Sequence, residues 1–207
     1  MSVDTVVGSV PALEKELSLP EGFFNSLKDE DDWSFIIKIH ALIEAAVSCL
    51  LTQKFGHDEL LPIFSRLELS NKKTGKISFI SALELLNKDE RRFISSLSEL
   101  RNLLVHNVSN VSFDLKGYAL TLKQDKRRNF VLSFWYGFDG VVDLKEGITI
   151  DDVVLEDPKK AISASALVFL AIIYQVKELE KLKREADTMA TQFAKTIRSN
   201  NPIKRIR

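Results

Sequence analysis

The residues best suited to chemistry lie in one short segment, residues 101–106, with the sequence RNLLVH. Arg101 supplies a permanent cation, Asn102 an amide, and His106 a titratable imidazole. Groups of these three types can bind or cleave a phosphodiester when they are brought to one place. We therefore treat Arg101, Asn102 and His106 as candidate catalytic residues of a protein that acts on nucleic acid or nucleotides.

The spacing of these residues permits a shared site without requiring one. In an ideal helix Asn102 and His106 lie about 40° apart and share a face, whereas Arg101 and His106 lie about 140° apart. The long Arg101 side chain, or a loosened last turn, must close that gap. The spacing leaves open a structural alternative, in which His106 only caps carbonyls at the end of the helix.

Helical periodicity predicts the elements that must position this segment. Apolar residues at steps of three and four predict a helix at 33–55 that is apolar around most of its circumference and therefore central. The acidic run 29–32 precedes this helix, and Gly56 is suited to end it. A helix from about Lys88 carries the motif at its end. Further helices are predicted at 58–68, at 77–86 and from Pro158 to about Ile197.

The pattern changes between residues 111 and 155. Apolar and polar residues partly alternate at 111–115, 118–122 and 130–136, which indicates short strands, and a fourth weak strand is predicted near 147–155. This is too little β-structure for a separate domain. The predicted fold is therefore mainly α, a helical bundle with a small β insertion at about 111–155.

The chain length of 207 residues is sufficient for one full domain and short for two. We expect an N-terminal extension at 1–29, a single domain at 30–198 and a basic tail at 199–207.

A formal net charge of zero provides no global field that would attract nucleic acid, so any such affinity must come from local basic patches. One patch, followed by aromatic residues, lies at the turn of the predicted hairpin and is a weak candidate for RNA binding. Its alternative interpretation is a solvated turn beside core strands. The patch consists of Lys123, Lys126, Arg127 and Arg128.

The composition predicts a cytoplasmic protein. The single Cys49 allows no disulfide framework, which fits a reducing compartment. Residues 1–19 lack the pattern of a signal peptide, and the apolar stretch at 161–176 is shorter than about 18 unbroken apolar residues. We expect no membrane association. The three His and one Cys lack the spacing of a zinc motif, so we predict no metal site and no cofactor.

Glu44 is an acidic residue within an apolar run of the predicted central helix. An unpaired carboxylate is costly to bury, so we expect Glu44 to be buried or half-buried and paired with a basic group such as Arg101 or His40. The alternative is a solvated glutamate. A paired Glu44 would support the site by orienting Arg101, without itself taking part in the chemistry.

The motif in its helical context resembles the Arg-(Asn/polar)-x3-His signature of the HEPN superfamily. The segment 40–46 (HALIEAA) is similar to the first long helix of such domains. The resemblance covers about residues 30–106 and, more loosely, the helix from Pro158. It implies a small helical bundle, often a homodimer, whose Arg and His from two protomers meet in a cleft. The predicted β insertion departs from a minimal bundle of this family.

The resemblance also implies a function, a metal-independent endoribonuclease acting as a toxin or phage-defence effector. His106 would be the general acid or base on the RNA 2′-hydroxyl or the leaving oxygen, Arg101 would hold the phosphate, and Asn102 would position the phosphate or the imidazole. The alternative is a non-catalytic, dimeric RNA- or protein-binding regulatory module. If the chain is an endoribonuclease of this kind, we expect an antitoxin or another protein as its partner.

Overall fold

The computed structural model describes residues 3–106, 108–140 and 143–200, with only the backbone described at 3–7, 108–109 and 198–200. The described chain is mainly helical, at 77% helix, and contains no strand. Its α-helices are α1 (Val3–Glu16), α2 (Phe23–Ser26), α3 (Asp32–Phe55), α4 (Leu61–Arg66), α5 (Lys76–Ala82), α6 (Lys88–Val105), α7 (Leu115–Thr121), α8 (Gln124–Trp135), α9 (Ile150–Glu156) and α10 (Pro158–Asn200).

Helix α3 is the central element of the fold, as its sequence pattern predicts. Its N-cap Asp31 accepts a hydrogen bond from the Ser34 backbone N–H at 2.9 Å, and Gly56 ends it in the left-handed conformation at φ 75°. Apolar side chains on several sides of α3 are buried. Helices α6 and α10 pack against it, and so do the shorter α4 and α5.

A cluster of aromatic rings joins α6, α8 and α10. The fully buried Phe93 ring lies 5.2 Å from Phe169, 6.0 Å from Phe134 and 6.2 Å from Tyr136, measured between ring centroids. The single ring of Phe93 on α6 therefore contacts residues of both α8 and α10, two helices that are distant in sequence. This cluster forms one end of a continuous apolar core.

The prediction of a β insertion at about 111–155 is wrong. The described residues of this segment contain a short 3₁₀ helix followed by α7, α8 and α9, with no strand. Burial at steps of three and four, as at Leu115 and Ala119 or Phe130 and Phe134, shows the helical repeat. Aromatic residues favour strands on average, but packing of these short segments against α6 and α10 overrides that propensity.

The segment predicted to be an N-terminal extension, 1–29, contributes to the core where it is described. Val10, Leu13 and Leu27 are buried in the apolar cluster, and α1 packs along α10. Within this segment the Glu14 carboxylate accepts backbone hydrogen bonds from Gly22 at 3.1 Å and Phe24 at 2.7 Å. The predicted basic tail, 199–207, lies outside the described residues except for helical backbone at its first two positions.

Helix α10 has two halves of different character. Its first half is buried against α3, whereas nearly every side chain at 181–197 is exposed. The exposed half includes large apolar residues, namely Leu182, Met189, Phe193 and Ile197. Helix α10 leaves the body of the fold after Glu180, which is still buried.

Two helices are long and apolar enough to cross a membrane by length and composition alone. The apolar window of α3 is 67% buried inside the fold, and that of α10 is 44% buried. Burial of this kind is also found in core helices, so the two helices are weak evidence for a membrane protein.

We expect Phe93→Ala to lower the free energy of unfolding by about 3–5 kcal/mol, because it leaves a cavity among three rings. The matched control is Phe193→Ala on the exposed half of α10, where the ring is 69% exposed and the expected change is within about 0.5 kcal/mol. Urea unfolding of both variants measures the difference. Equal effects at the two positions would contradict the assignment of Phe93 to the core.

Candidate functional site

Helix α6 places the motif at its C-terminal end, as the sequence predicts. The helix begins with a complete capping box, in which Asn87 and Glu90 satisfy each other's backbone N–H groups. It ends at Val105, and His106 follows as the C-cap residue with helical dihedral angles, φ −82° and ψ −8°. Arg101 and Asn102 therefore lie in the last two turns, and His106 is the first residue beyond them.

Arg101 and Asn102 are in direct contact. The Arg101 Nη1 donates a hydrogen bond to the Asn102 Oδ1 at 3.1 Å. Arg101 is half-buried, and its charge contributes to lowering the pKa of His40 on α3. The guanidinium is therefore close enough to α3 for its charge to act on His40, and the amide of Asn102 restrains it on α6.

Asn102 and His106 are exposed, and their 40° separation on an ideal helix puts them on the outward stripe of α6. No hydrogen bond joins Arg101 to His106 among the described residues. The structure therefore brings together the guanidinium and the amide of the motif. In a single chain the imidazole stands one turn further along the helix and is open to solvent.

Glu44 is half-buried, with 31% of its side chain exposed, and it has a basic partner. The partner is Lys76, whose Nζ donates to Glu44 Oε1 at 2.8 Å and whose side chain is fully buried. His40 Nδ1 lies 4.0 Å from Glu44 Oε2. The expected pairing of Glu44 with a basic group is therefore present, with Lys76 as its main partner, and no ion pair joins Glu44 to Arg101 among the described residues.

The sequence gives no sign that Lys76 is buried. It belongs to a run of polar residues, 71–76, that reads as a loop, whereas the structure makes it the first residue of α5. Among the described residues the carboxylate of Glu44, 32 positions away, is the group that compensates the burial of its charge. The one clue in the sequence is Glu44, an acidic residue within an apolar run of α3. It predicts that a basic partner lies nearby but does not identify that partner.

His40 extends this pair to α6. Its Nε2 lies 3.1 Å from the Ser98 Oγ, and both side chains are buried. Lys76, Glu44, His40 and Ser98 thus form a polar chain across α5, α3 and α6. It reaches α6 one turn before Arg101. We call this set the buried polar chain.

Burial is the main cause that lowers the pKa of His40, to about 4. The Glu44 carboxylate opposes the change, and the positive charges of Arg101 and Lys76 add to it. His40 is therefore neutral at pH 7, where it can share a hydrogen bond with Ser98 without an uncompensated charge. A neutral histidine in this position joins α3 and α6 through its hydrogen bond with Ser98, and it does not carry the imidazolium proton that a general acid would need near neutral pH.

The basic patch occupies a helix and not a hairpin turn. Lys123 is the N-cap of α8, and the other three residues lie in its first turns. Arg127 Nε donates to Asp151 Oδ2 of α9 at 2.9 Å, which neutralises one of the four charges. The aromatic residues that follow are buried or half-buried, so they do not form the stacking arm that a β hairpin would have offered.

Among the described residues no group of three or more His, Cys, Asp or Glu side chains is arranged to hold a metal ion. The chain matches no protein-family model, no curated protein and no solved structure. The chemistry of the site must therefore be argued from the side chains themselves.

The stability of the fold should fall as the pH is lowered from 6.5 to about 4. Over this range an unfolded His40 takes up a proton, since its ordinary pKa is 6.5, whereas the folded chain does not until the pH reaches about 4. The resulting loss is on the order of 3 kcal/mol and is absent above pH 7. His40→Gln should remove this part of the pH dependence.

The measurement is the urea midpoint of wild type, His40→Gln and His57→Gln at several pH values. His57 is a matched control because its side chain is 72% exposed. Carboxylates titrate in all three proteins, so the difference between variants isolates the histidine. The same pH slope in His40→Gln as in wild type would show that His40 is protonated in the folded state.

Proposed function

We propose that this protein is a metal-independent endoribonuclease of the HEPN type. The observation that supports the proposal is the end of α6, where the Arg101 guanidinium is held by Asn102 at 3.1 Å and an exposed imidazole follows. A mainly helical fold with the motif at a helix end is compatible with this family. The proposed location is the cytoplasm, and the proposed biological role is that of a toxin or phage-defence effector controlled by a protein partner.

In this proposal the RNA 2′-hydroxyl attacks the adjacent phosphorus and the bond to the 5′-oxygen breaks. His106 removes the 2′-proton or protonates the leaving oxygen. Arg101 pairs with the phosphate and stabilises the charge that develops on its oxygens. Asn102 positions the guanidinium, as its hydrogen bond already does in the structure.

Two copies of the motif would form a more complete site than one. Apolar side chains are exposed close to it, with Leu103 41%, Val105 38% and Val111 60% exposed. A second copy packed on this surface would bury these side chains and bring a second Arg101 and His106 to the interface. Dimerisation thereby offers a way to join an arginine to a histidine that the single chain keeps apart.

The second candidate function is a non-catalytic, dimeric RNA- or protein-binding module. The position of Arg101 favours it, because its guanidinium lies beside the buried polar chain and has no direct contact with His106. In that case Arg101 and Asn102 stabilise the junction of α6 with α3.

We expect the wild-type chain to cleave single-stranded RNA in excess EDTA, and His106→Ala and Arg101→Ala each to lose at least about 100-fold in rate. Matched controls are His57→Ala and Arg66→Ala, which remove exposed side chains of the same types and should retain the wild-type rate. Rates are measured by gel electrophoresis of end-labelled RNA, and circular dichroism verifies folding. RNA binding without cleavage by wild type would favour the second function.

We expect Leu103→Glu to weaken the dimer by at least about tenfold, because a carboxylate would be buried in an apolar interface. Leu61→Glu is the matched control, because Leu61 is 38% exposed on α4. This helix packs near the C-terminal end of α3, where Phe64 contacts Phe55. Sedimentation equilibrium measures both dissociation constants. A wild-type chain that remains monomeric at all concentrations tested would exclude the dimeric site.

A further inference from the structure

Two clefts adjoin on the outward side of α6, and neither includes the motif. One, of about 280 Å³, is lined largely by Leu100, Tyr118, Leu122 and Phe130, and we call it the aromatic cleft. The other, of about 470 Å³, is lined by four basic residues and several hydroxyls, and we call it the basic cleft. Its basic residues are Lys72, Lys88, Arg91 and Arg92.

The basic cleft has an excess of positive charge. Glu99 is the only carboxylate that lines it among the described residues. Arg92 pairs with Asp89 at 3.0 Å, and Arg91 donates to the Leu86 carbonyl. Lys72 and Lys88 are exposed at its rim. Asp89 and Glu99 offset part of the four positive charges, and a dianion such as a phosphate monoester would neutralise the remainder.

The aromatic cleft has an apolar wall that includes two aromatic rings. The Tyr118 ring is half-buried, and its centroid lies 6.5 Å from that of Phe130, which also lines the cleft, with the two ring planes inclined at 63°. Leu122 lines the cleft beside this ring. A planar, weakly polar ring is the ligand group that stacks best on such a wall, and every nucleobase has such a face.

The two clefts share a wall that is polar and fixed. Ser96, Glu99 and Asn129 line both cavities. Asn129 Nδ2 donates to Ser96 Oγ at 3.0 Å, and Ser96 Oγ lies 2.8 Å from Ser133 Oγ. These bonds orient the side-chain amide of Asn129, whose Oδ1 is an acceptor for a ligand. The Glu99 carboxylate is a second acceptor at the same junction, suited to the hydroxyls of a ribose.

We propose that these clefts together bind a nucleotide. The base stacks on Tyr118 in the aromatic cleft, the ribose hydroxyls donate to Glu99, and the 5′-phosphate is held by Lys88 and Arg92 in the basic cleft. The chemistry is that of a nucleoside 5′-phosphate, free or within an RNA strand. The site does not depend on the proposed ribonuclease activity, although Asn102 and His106 continue the Lys88–Glu99 stripe of α6.

The test is calorimetric titration of the full chain with AMP, adenosine and inorganic phosphate. We expect AMP to bind more tightly than adenosine or phosphate alone, because only AMP fills both clefts. Lys88→Ala should weaken AMP about tenfold and leave adenosine unchanged, whereas Tyr118→Leu should weaken both AMP and adenosine about tenfold. Lys195→Ala on the exposed half of α10 is the matched control for the lysine variant.

Tyr118→Phe guards against a folding defect, since it keeps the stacking ring and should bind adenosine as wild type does. A hexanucleotide of 2′-O-methyl RNA, which attack by a 2′-hydroxyl cannot cleave, separates the two sources of the nucleotide. Binding of the hexanucleotide but not AMP, with the same dependence on Lys88 and Tyr118, assigns the site to a strand. Failure of both ligands to bind, or binding insensitive to both residues, overturns the proposal whether or not the chain cleaves RNA.

Discussion

The fold depends on the burial of one helix that is apolar around most of its circumference. Because α3 presents apolar residues on several sides, it must be covered on several sides, and α4, α5, α6 and α10 all pack against it. The same constraint applies to the polar residues that α3 carries inward. His40 is buried and Glu44 is half-buried, and Ser98 and Lys76 provide their polar partners from neighbouring helices. Burial of the helix thus dictates both the apolar packing and the polar contacts of the interior.

This constraint also decides which side of the motif helix is available for chemistry. One face of α6 is committed to the core, and at the adjacent edge Ser98 is joined to α3 by its hydrogen bond with His40. The remaining stripe, which carries Asn102 and His106, is directed outward. The motif therefore has one half-buried residue, Arg101, and two exposed residues, Asn102 and His106. A site built from it must either extend across the helix end or recruit a second chain.

The long elements could be predicted from the sequence because several signals agree in each. In α3 the periodicity, the Asp31 cap and the left-handed Gly56 all indicate the same boundaries, and in α6 the position of the motif at the helix end follows from its pattern. The prediction for the segment 111–155 was wrong because its helices are short. The helical periodicity extends over only about two turns, and the aromatic content of the segment favoured strands instead. The burial of Lys76 could not be predicted at all, since it depends on a contact between positions 32 residues apart. The three motif residues could be singled out by type, but their contacts could not be predicted: the spacing permits a contact between Arg101 and His106, whereas the structure pairs Arg101 with Asn102.

The exposed half of α10 has a consequence for how the molecule behaves in solution. Residues 181–197 extend from the body as a rod of about 25 Å, at 1.5 Å per residue. Such a rod increases hydrodynamic drag without adding much mass, so the chain should diffuse more slowly than a sphere of 23.4 kDa. A monomer of this shape elutes early from a size-exclusion column, so its apparent mass is larger than its true mass. The number of subunits must therefore be determined by a method that measures mass independently of shape.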